Sequence, residues 1–309
     1  FIIYINDLPL SCSSLTPIIY ADDTTLYTKL NTQNIKQFEQ NINLELEKVN
    51  TWLKVNKLSL NVKKTKFMIF HKLNKRFDAP QLMLNNIQLN KCDSFNFLGL
   101  HITQPRTWTE HLRHISSRIS RTAGQLNHLK HILPSKILIT LYNTLILPHF
   151  NYCILTWGSQ HQSISKLQKK CIRIVGNSHY CSHTEPILKN NNLLRIEDIY
   201  KLQQLSFYFK LKNGTLPPYF STFPTTLNHE IHQHNTRRKY IFPIRANHTF
   251  TKNSLRYKIV DLVNTTSCII TDKIRTHSLH GFITYTKAHF IISYNITCNI
   301  QNCYICNLI

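Results

Sequence analysis

The stretch IIYADDTTLYT (Ile18–Thr28) sets two adjacent aspartates inside a run of Ile, Tyr, Thr and Leu. These flanking residues favour strands and Asp tolerates tight turns, so the run predicts a β-hairpin with Asp22 and Asp23 at its tip. Two explanations of the pair stand side by side. Asp-Asp is good turn chemistry in its own right, since the side chain bonds its own backbone. Alternatively, the two carboxylates form a metal site. The rest of the chain bears on which explanation holds.

The chain has 309 residues and is 42% hydrophobic, enough for two or three compact units and a sizeable core, which excludes wholesale disorder. Lys and Arg number 37 against 15 Asp and Glu, giving a formal net charge of +22 and a pI near 9.7. That imbalance points to a polyanionic partner, nucleic acid first and an acidic membrane second. An A/T-rich gene would encode part of the richness in Asn, Lys, Ile, Tyr and Phe, but drift of that kind does not so readily deplete acids. The nine cysteines run from Cys12 to Cys306 with no tight framework in the first two-thirds. There is no signal-peptide pattern and no run of about 18 uncharged apolar residues. The expectation is a reduced, intracellular protein of nucleus or cytoplasm, not secreted and without a membrane span. The chain begins with Phe1 inside an apolar run, which suggests the interior of a longer protein.

Residues 1 to about 100 mix strand and helix signals. Phe1–Ile5 predicts a buried helix end or strand, stopped at Asn6-Asp-Leu-Pro9. Ile35, Phe38, Ile42, Leu46, Val49 and Leu53 recur at helical spacing, predicting an amphipathic helix. A strand over Lys66–Phe70, a hairpin turn at Asn85-Asn86 and a strand FNFLGLHI (Phe95–Ile102) with a glycine kink at Gly99 follow. From about 105 to 180 the pattern is helical. His111 to Leu133 carries Leu112, Ile115, Ile119, Ala123 and Leu126 on one face, Pro134 and Pro148 bracket a second helix, and Ile164 to Val175 forms a third. Beyond Leu193–Leu211 the chain reads as irregular.

In this order, YADDT (Tyr20–Thr24), WLKVNKLSLNVKKTKFMIF (Trp52–Phe70) and FNFLGLHI resemble the catalytic, following and primer-grip motifs of one family: the reverse transcriptase of non-LTR (LINE-type) retrotransposons, most like jockey-type elements. FIIYINDLP (Phe1–Pro9) is similar to the segment after that family's Gly-rich motif. Trp108–His111, Leu141–Trp157 and Leu167–Val175 resemble its helical thumb, and HNTRR (His234–Arg238) and KNSLRY (Lys252–Tyr257) its tail. The resemblance runs to about residue 265. It implies an α+β fold: the C-terminal half of a polymerase palm (antiparallel sheet plus helix) over 1–104, a mainly helical thumb over 105–185, and a mixed tail over 186–309.

The implied activity is RNA-directed DNA polymerisation, with two divalent ions about 3.5–4 Å apart, Mg²⁺ or Mn²⁺, held by carboxylates. Asp22 is then a direct metal ligand and Asp23 a less direct one, with Tyr20 and Ala21 beneath the primer terminus. Lys64 would face the nucleotide's phosphates, the alternative being a solvated basic face shared with Lys63 and Lys66. Asn61 caps the turn before that strand. Leu98-Gly99 would be the primer grip, or else an ordinary glycine bulge. Arg113, Arg118, Arg121, Lys130, Lys169, Lys170 and Arg173 suit the phosphates of an RNA template paired with a DNA primer. Trp108, Tyr152 and Trp157 are expected as core anchors.

Cys298, Cys303 and Cys306, with His289 upstream, offer metal-ligand types, but their spacing fits no zinc knuckle and a chance cluster is the simpler reading. His229, His232 and His234 read as loop residues. The family's other catalytic aspartate lies on a strand upstream of YADD, and Asp7 is too near to supply it. The expectation is therefore a reverse transcriptase fragment that is inactive alone, with a non-catalytic nucleic-acid-binding remnant as the alternative.

Overall fold

In the computed structural model of the protein, which describes residues 2–30, 33–71, 78–104, 107–223, 241 and 245–295, the Asp-Asp run forms an antiparallel hairpin of β1 (Thr16–Tyr20) and β2 (Asp23–Tyr27). The chain is α+β, as expected, and divides into two units, Phe1–Glu110 and His111–Ile309.

The first unit is organised on α2 (Ile35–Val55). Asn34 caps it by accepting from the Gln37 N–H at 3.2 Å. At the other end Lys57 takes a left-handed φ of +55°, and the bonds Lys57 N–H to Lys54 C=O and Leu58 N–H to Leu53 C=O close a Schellman motif. The predicted stripe faces inward. Val49 packs with Ile5 of α1 (Ile2–Ile5), with Leu8, and with Ile19 and Leu26 of the hairpin. Ile42 and Leu46 pack with Leu15, Leu82, Leu84 and Leu89.

Among the described residues the strands form separate pairs rather than one sheet. β3 (Lys66–Phe67) pairs in parallel with β6 (Asn90–Lys91), and β4 (Met83–Leu84) pairs antiparallel with β5 (Ile87–Gln88). Asn85 and Asn86, both at positive φ, make the expected two-residue turn between β4 and β5. FNFLGLHI is not one kinked strand. β7 (Ser94–Phe97) reverses into β8 (Leu100–Thr103) through Leu98 at φ +47° and Gly99 at φ +81°. Two consecutive positive φ angles define a type I′ turn, which Gly enters freely and Leu at a cost of about 1–2 kcal/mol.

The second unit is helical: α3 (Thr109–Leu129), α4 (Ser135–Leu141), a π-helical turn Tyr142–Ile146, α5 (Leu147–Asn151), α6 (Ile154–Trp157), α7 (Gln162–Val175), α8 (Glu185–Asn190) and α9 (Ile196–Lys212). Pro148 does not end its segment but sits at the start of α5, where a missing N–H costs nothing. α9 is buried almost all round, the mark of a central helix. The region expected to be irregular forms α10 (Thr249–Lys252), α11 (Leu255–Thr265), α12 (Cys268–Thr276) and α13 (Leu279–Ile292). The N-caps Ser254, Ser267 and Ser278 start the last three, and Ile259, Val260, Ile270, Ile274 and Phe282 pack against Phe209 and its neighbours. His229, His232, His234, Cys298, Cys303 and Cys306 lie outside the described residues.

Two polar clusters tie the unit together. Gln168 donates to the Tyr142 hydroxyl (3.2 Å) and the Leu194 carbonyl (3.0 Å) and accepts from Ile196 N–H (2.7 Å). Asp198 accepts from Arg195 at 2.8 Å and from the Tyr294 hydroxyl at 2.6 Å, while Lys189 donates to the carbonyls of Ile292 and Tyr294. No single helix is long and apolar enough to cross a membrane. The bent pair Ser135–Asn151 and Ile154–Gln160 passes by length and composition only, and its Leu138, Tyr142, Ile146, Phe150, Ile154 and Trp157 are core residues of this unit.

Trp157 is fully buried, donates to the Tyr152 carbonyl at 2.8 Å and meets the His111 ring edge-on, whereas Tyr152, also expected in the core, is 51% exposed. Truncating Trp157 to Ala is expected to lower stability by about 3–5 kcal/mol in denaturant unfolding. A loss within experimental error would contradict the packing described.

Candidate nucleic-acid and metal-binding surface

The hairpin turns on two residues. Tyr20 pairs with Asp23, so Ala21 and Asp22 alone make the reversal. Ala21 has φ +51°, and a positive φ at the first turn position only is the sign pattern of a type II′ turn, whose twist suits the strands. An alanine held there stores about 1–2 kcal/mol of strain. Directly opposed residues share a face, which places Asp23 with Tyr20, Ile18, Thr25 and Tyr27 on the side away from Ile19 and Leu26. That outer face is open, with Tyr20 at 64% exposure and Ile18 and Tyr27 near half. Asp22 and Asp23 are exposed, and among the described residues neither carboxylate has a hydrogen-bond or ion-pair partner.

The base of the hairpin is fixed differently. Glu45, on the inner side of α2 and 3% exposed, accepts from the backbone N–H groups of Ser13 (2.6 Å) and Ser14 (3.0 Å) through one oxygen. Its other oxygen accepts from Lys48 at 2.7 Å. Burial alone would raise this carboxyl's pKa, but the Lys48 bond and charge and the two N–H groups outweigh it and bring it down to about 2. Nothing in the sequence pattern singled out Glu45 as a functional residue. The available signal was an acid set inside an apolar helical stripe, between Ile42 and Leu46.

Lys64 lies exposed in the turn before β3, and the Asn61 side chain accepts from its backbone N–H at 3.2 Å, the capping role expected of Asn61. Leu98 and Gly99 are at the β7–β8 turn described above. The hairpin tip, Lys64 and the Leu98-Gly99 turn thus all lie in the first unit, at three separate turns. In the second unit, Arg113, Arg118 and Arg121 are exposed on α3 and Lys169 and Lys170 on α7. Arg118 lies near His149, whose pKa is lowered by burial and then by that charge. Arg173 is half-buried, and its Nε donates to the Ser182 carbonyl at 2.7 Å, so this cation holds its own loop. From His111 through Thr184 the chain contains no Asp or Glu.

This is an α+β protein whose first unit presents paired carboxylates at a tight turn and whose second presents basic helices with few acids. Residues 1–102 match the model of the reverse transcriptase (RNA-dependent DNA polymerase) family. No curated protein and no solved structure matches the chain. The matched third of the chain is thus similar to reverse transcriptases, a family whose polymerases join nucleotides with divalent ions. Carboxylate oxygens are the donors Mg²⁺ and Mn²⁺ prefer, so Asp22 and Asp23 fit in kind. They do not fit in number: among the described residues no group of three or more His, Cys, Asp or Glu side chains is gathered to hold a metal.

The Glu45 carboxyl titrates near 2 when folded against an ordinary value of 4.5, so it contributes stability that is complete above about pH 4.5 and is lost as pH falls toward 2. Glu45→Gln is expected to flatten that part of the acid-unfolding curve, followed by circular dichroism. Identical acid limbs in both proteins would contradict the assignment.

Proposed function

We propose that this chain is the C-terminal part of the RNA-directed DNA polymerase of a retrotransposon, of the non-LTR, jockey-like kind. The observation that carries the reading is the β1–β2 tip, two exposed carboxylates without a partner among the described residues, on a strained two-residue turn inside reverse transcriptase sequence. A turn that needed Asp only for its shape would use the side chains in local bonds, and these are not so used. On this reading Asp22 and Asp23 are part of a two-ion centre for Mg²⁺ or Mn²⁺, completed by an aspartate from a facing upstream strand. Lys64 offsets charge on the nucleotide's phosphates, and Tyr20, Ala21, Leu98 and Gly99 line the primer. The basic residues of α3 and α7 hold the phosphates of the RNA/DNA heteroduplex. The 309 residues alone bind nucleic acid and do not polymerise.

A second reading, a non-catalytic nucleic-acid-binding remnant, rests on the exposed cations of α3 and α7, which lie outside the matched residues 1–102. Both readings require heteroduplex binding whose log K falls linearly with log salt, measured by fluorescence anisotropy. The triple variant Arg113→Ala, Arg118→Ala, Arg121→Ala is expected to reduce that slope by up to about 3, roughly one for each phosphate no longer neutralised. Salt-independent binding would overturn both. The readings part in a longer protein that restores the facing strand. There, Asp22→Asn is expected to lower Mg²⁺-dependent nucleotide incorporation on a primed RNA template by on the order of 10²–10³-fold. Unchanged incorporation, or none before mutation, would leave the remnant.

A further inference from the structure

We propose that Glu45 is a positioning residue for the Asp22–Asp23 tip, a role that rests on the reading of those aspartates given above. The placement is unusual on energetic grounds. Ile42, Leu46 and Val49 make the inner side of α2 apolar, and an apolar side chain at position 45 would continue that stripe without the cost of burying a charge. The chain instead buries a carboxylate and satisfies it with three donors, two of them backbone N–H groups of the segment that leads into β1. Ser13 and Ser14 are exposed, and water could have bonded those N–H groups. Beyond what it adds to stability, a buried carboxylate that must be satisfied selects one arrangement of the chain.

The arrangement selected is the path of β1. Ser13 and Ser14 are pinned to α2 by Glu45, the next residue Leu15 is buried against Ile42 and Leu46, and the strand starts at Thr16. Lys48 also reaches the Ser13 hydroxyl at 3.3 Å. Farther along, Ile19 and Leu26 press on the Val49 cluster, but the tip carboxylates have no partner among the described residues. At about 3.3 Å per residue the eight residues from Ser14 carry Asp22 roughly 26 Å from the clamp, so a tilt of about two degrees at the base moves the carboxylates by about 1 Å. Displacements of that size matter to groups that share an ion or a reacting atom.

The test uses the full chain, with Mn²⁺ as the probe. Paramagnetic broadening of the Ala21–Thr24 amide signals reports cation binding at the tip, and hydrogen exchange of the β1 and β2 amides reports how firmly the hairpin is held. Glu45→Gln is expected to weaken Mn²⁺ binding and to speed β1–β2 exchange, each by about tenfold, while the unfolding midpoint of the second unit stays put. Lys48→Ala removes one donor from an exposed side chain. It keeps the question answerable should Glu45→Gln fail to fold, with smaller changes expected in the same direction. Wild-type Mn²⁺ affinity and exchange in both variants would overturn the positioning role. Broadening that is absent in the wild type, or unchanged in Asp22→Asn/Asp23→Asn, would overturn instead the reading of the aspartates as cation ligands.

Discussion

One face of α2 gives the first unit its shape. Ile42, Leu46 and Val49 collect the hairpin, the N-terminal turn and the β4–β5 hairpin on one side of a single helix, and the separate strand pairs have little else to share. Short strand pairs are marginal by themselves and become stable when packed against a helix. The apolar packing decides which face of the hairpin points inward. Because side chains alternate along a strand, that choice sends Tyr20 and Asp23 outward with Ile18 and Tyr27. Exposure of the carboxylates is thus a consequence of packing on the opposite face.

The second unit solves a different problem, how to build a core while keeping a strongly cationic exterior. α9 supplies most of the interior, and one of its two acids is used inside. Asp198 is buried beneath Arg195 and Tyr294, and burial together with that carboxylate pushes the Tyr294 hydroxyl well above its usual range. Arg118 and Arg121 of α3 and the cations of α7 have no acid nearby in sequence, the electrostatic condition for holding a polyanion. A chain with six glycines also needs other residues at left-handed positions, and Lys57, Asn177 and Asn192 end helices where Gly is more usual, with Gly214 alone among the described helix ends following the common pattern.

Features with a strong local period were legible in the sequence. The β1–β2 hairpin, the span of α2, the Asn85-Asn86 turn and the buried face of α3 all follow from alternation, helical spacing or turn chemistry. Where tertiary context decides, local pattern misleads. Leu98 looked like a strand residue because Leu is rare at φ > 0, yet Gly99 beside it allows the reversal and packing accepts the strain. The helices after residue 248 are short, and their apolar faces make sense only against Phe209 and its neighbours on α9. Tyr152 and Trp157 belong to one motif, but the left-handed Cys153 at +49° between them turns one outward and the other inward. Asp22 and Asp23 could be named from sequence. Glu45 could not, because its partners are backbone groups about thirty residues away.

The measurement that bears most directly on a nucleic-acid role for these surfaces is lysine footprinting of the full chain, with and without an RNA/DNA heteroduplex. If the tip turns and basic helices hold the duplex, Lys64, Lys169 and Lys170 lose reactivity on binding, while Lys201, held by Glu197 at 2.6 Å, and Lys189, bonded to the carbonyls after α13, keep theirs. Protection spread evenly over all lysines, or confined to lysines outside these surfaces, would contradict it.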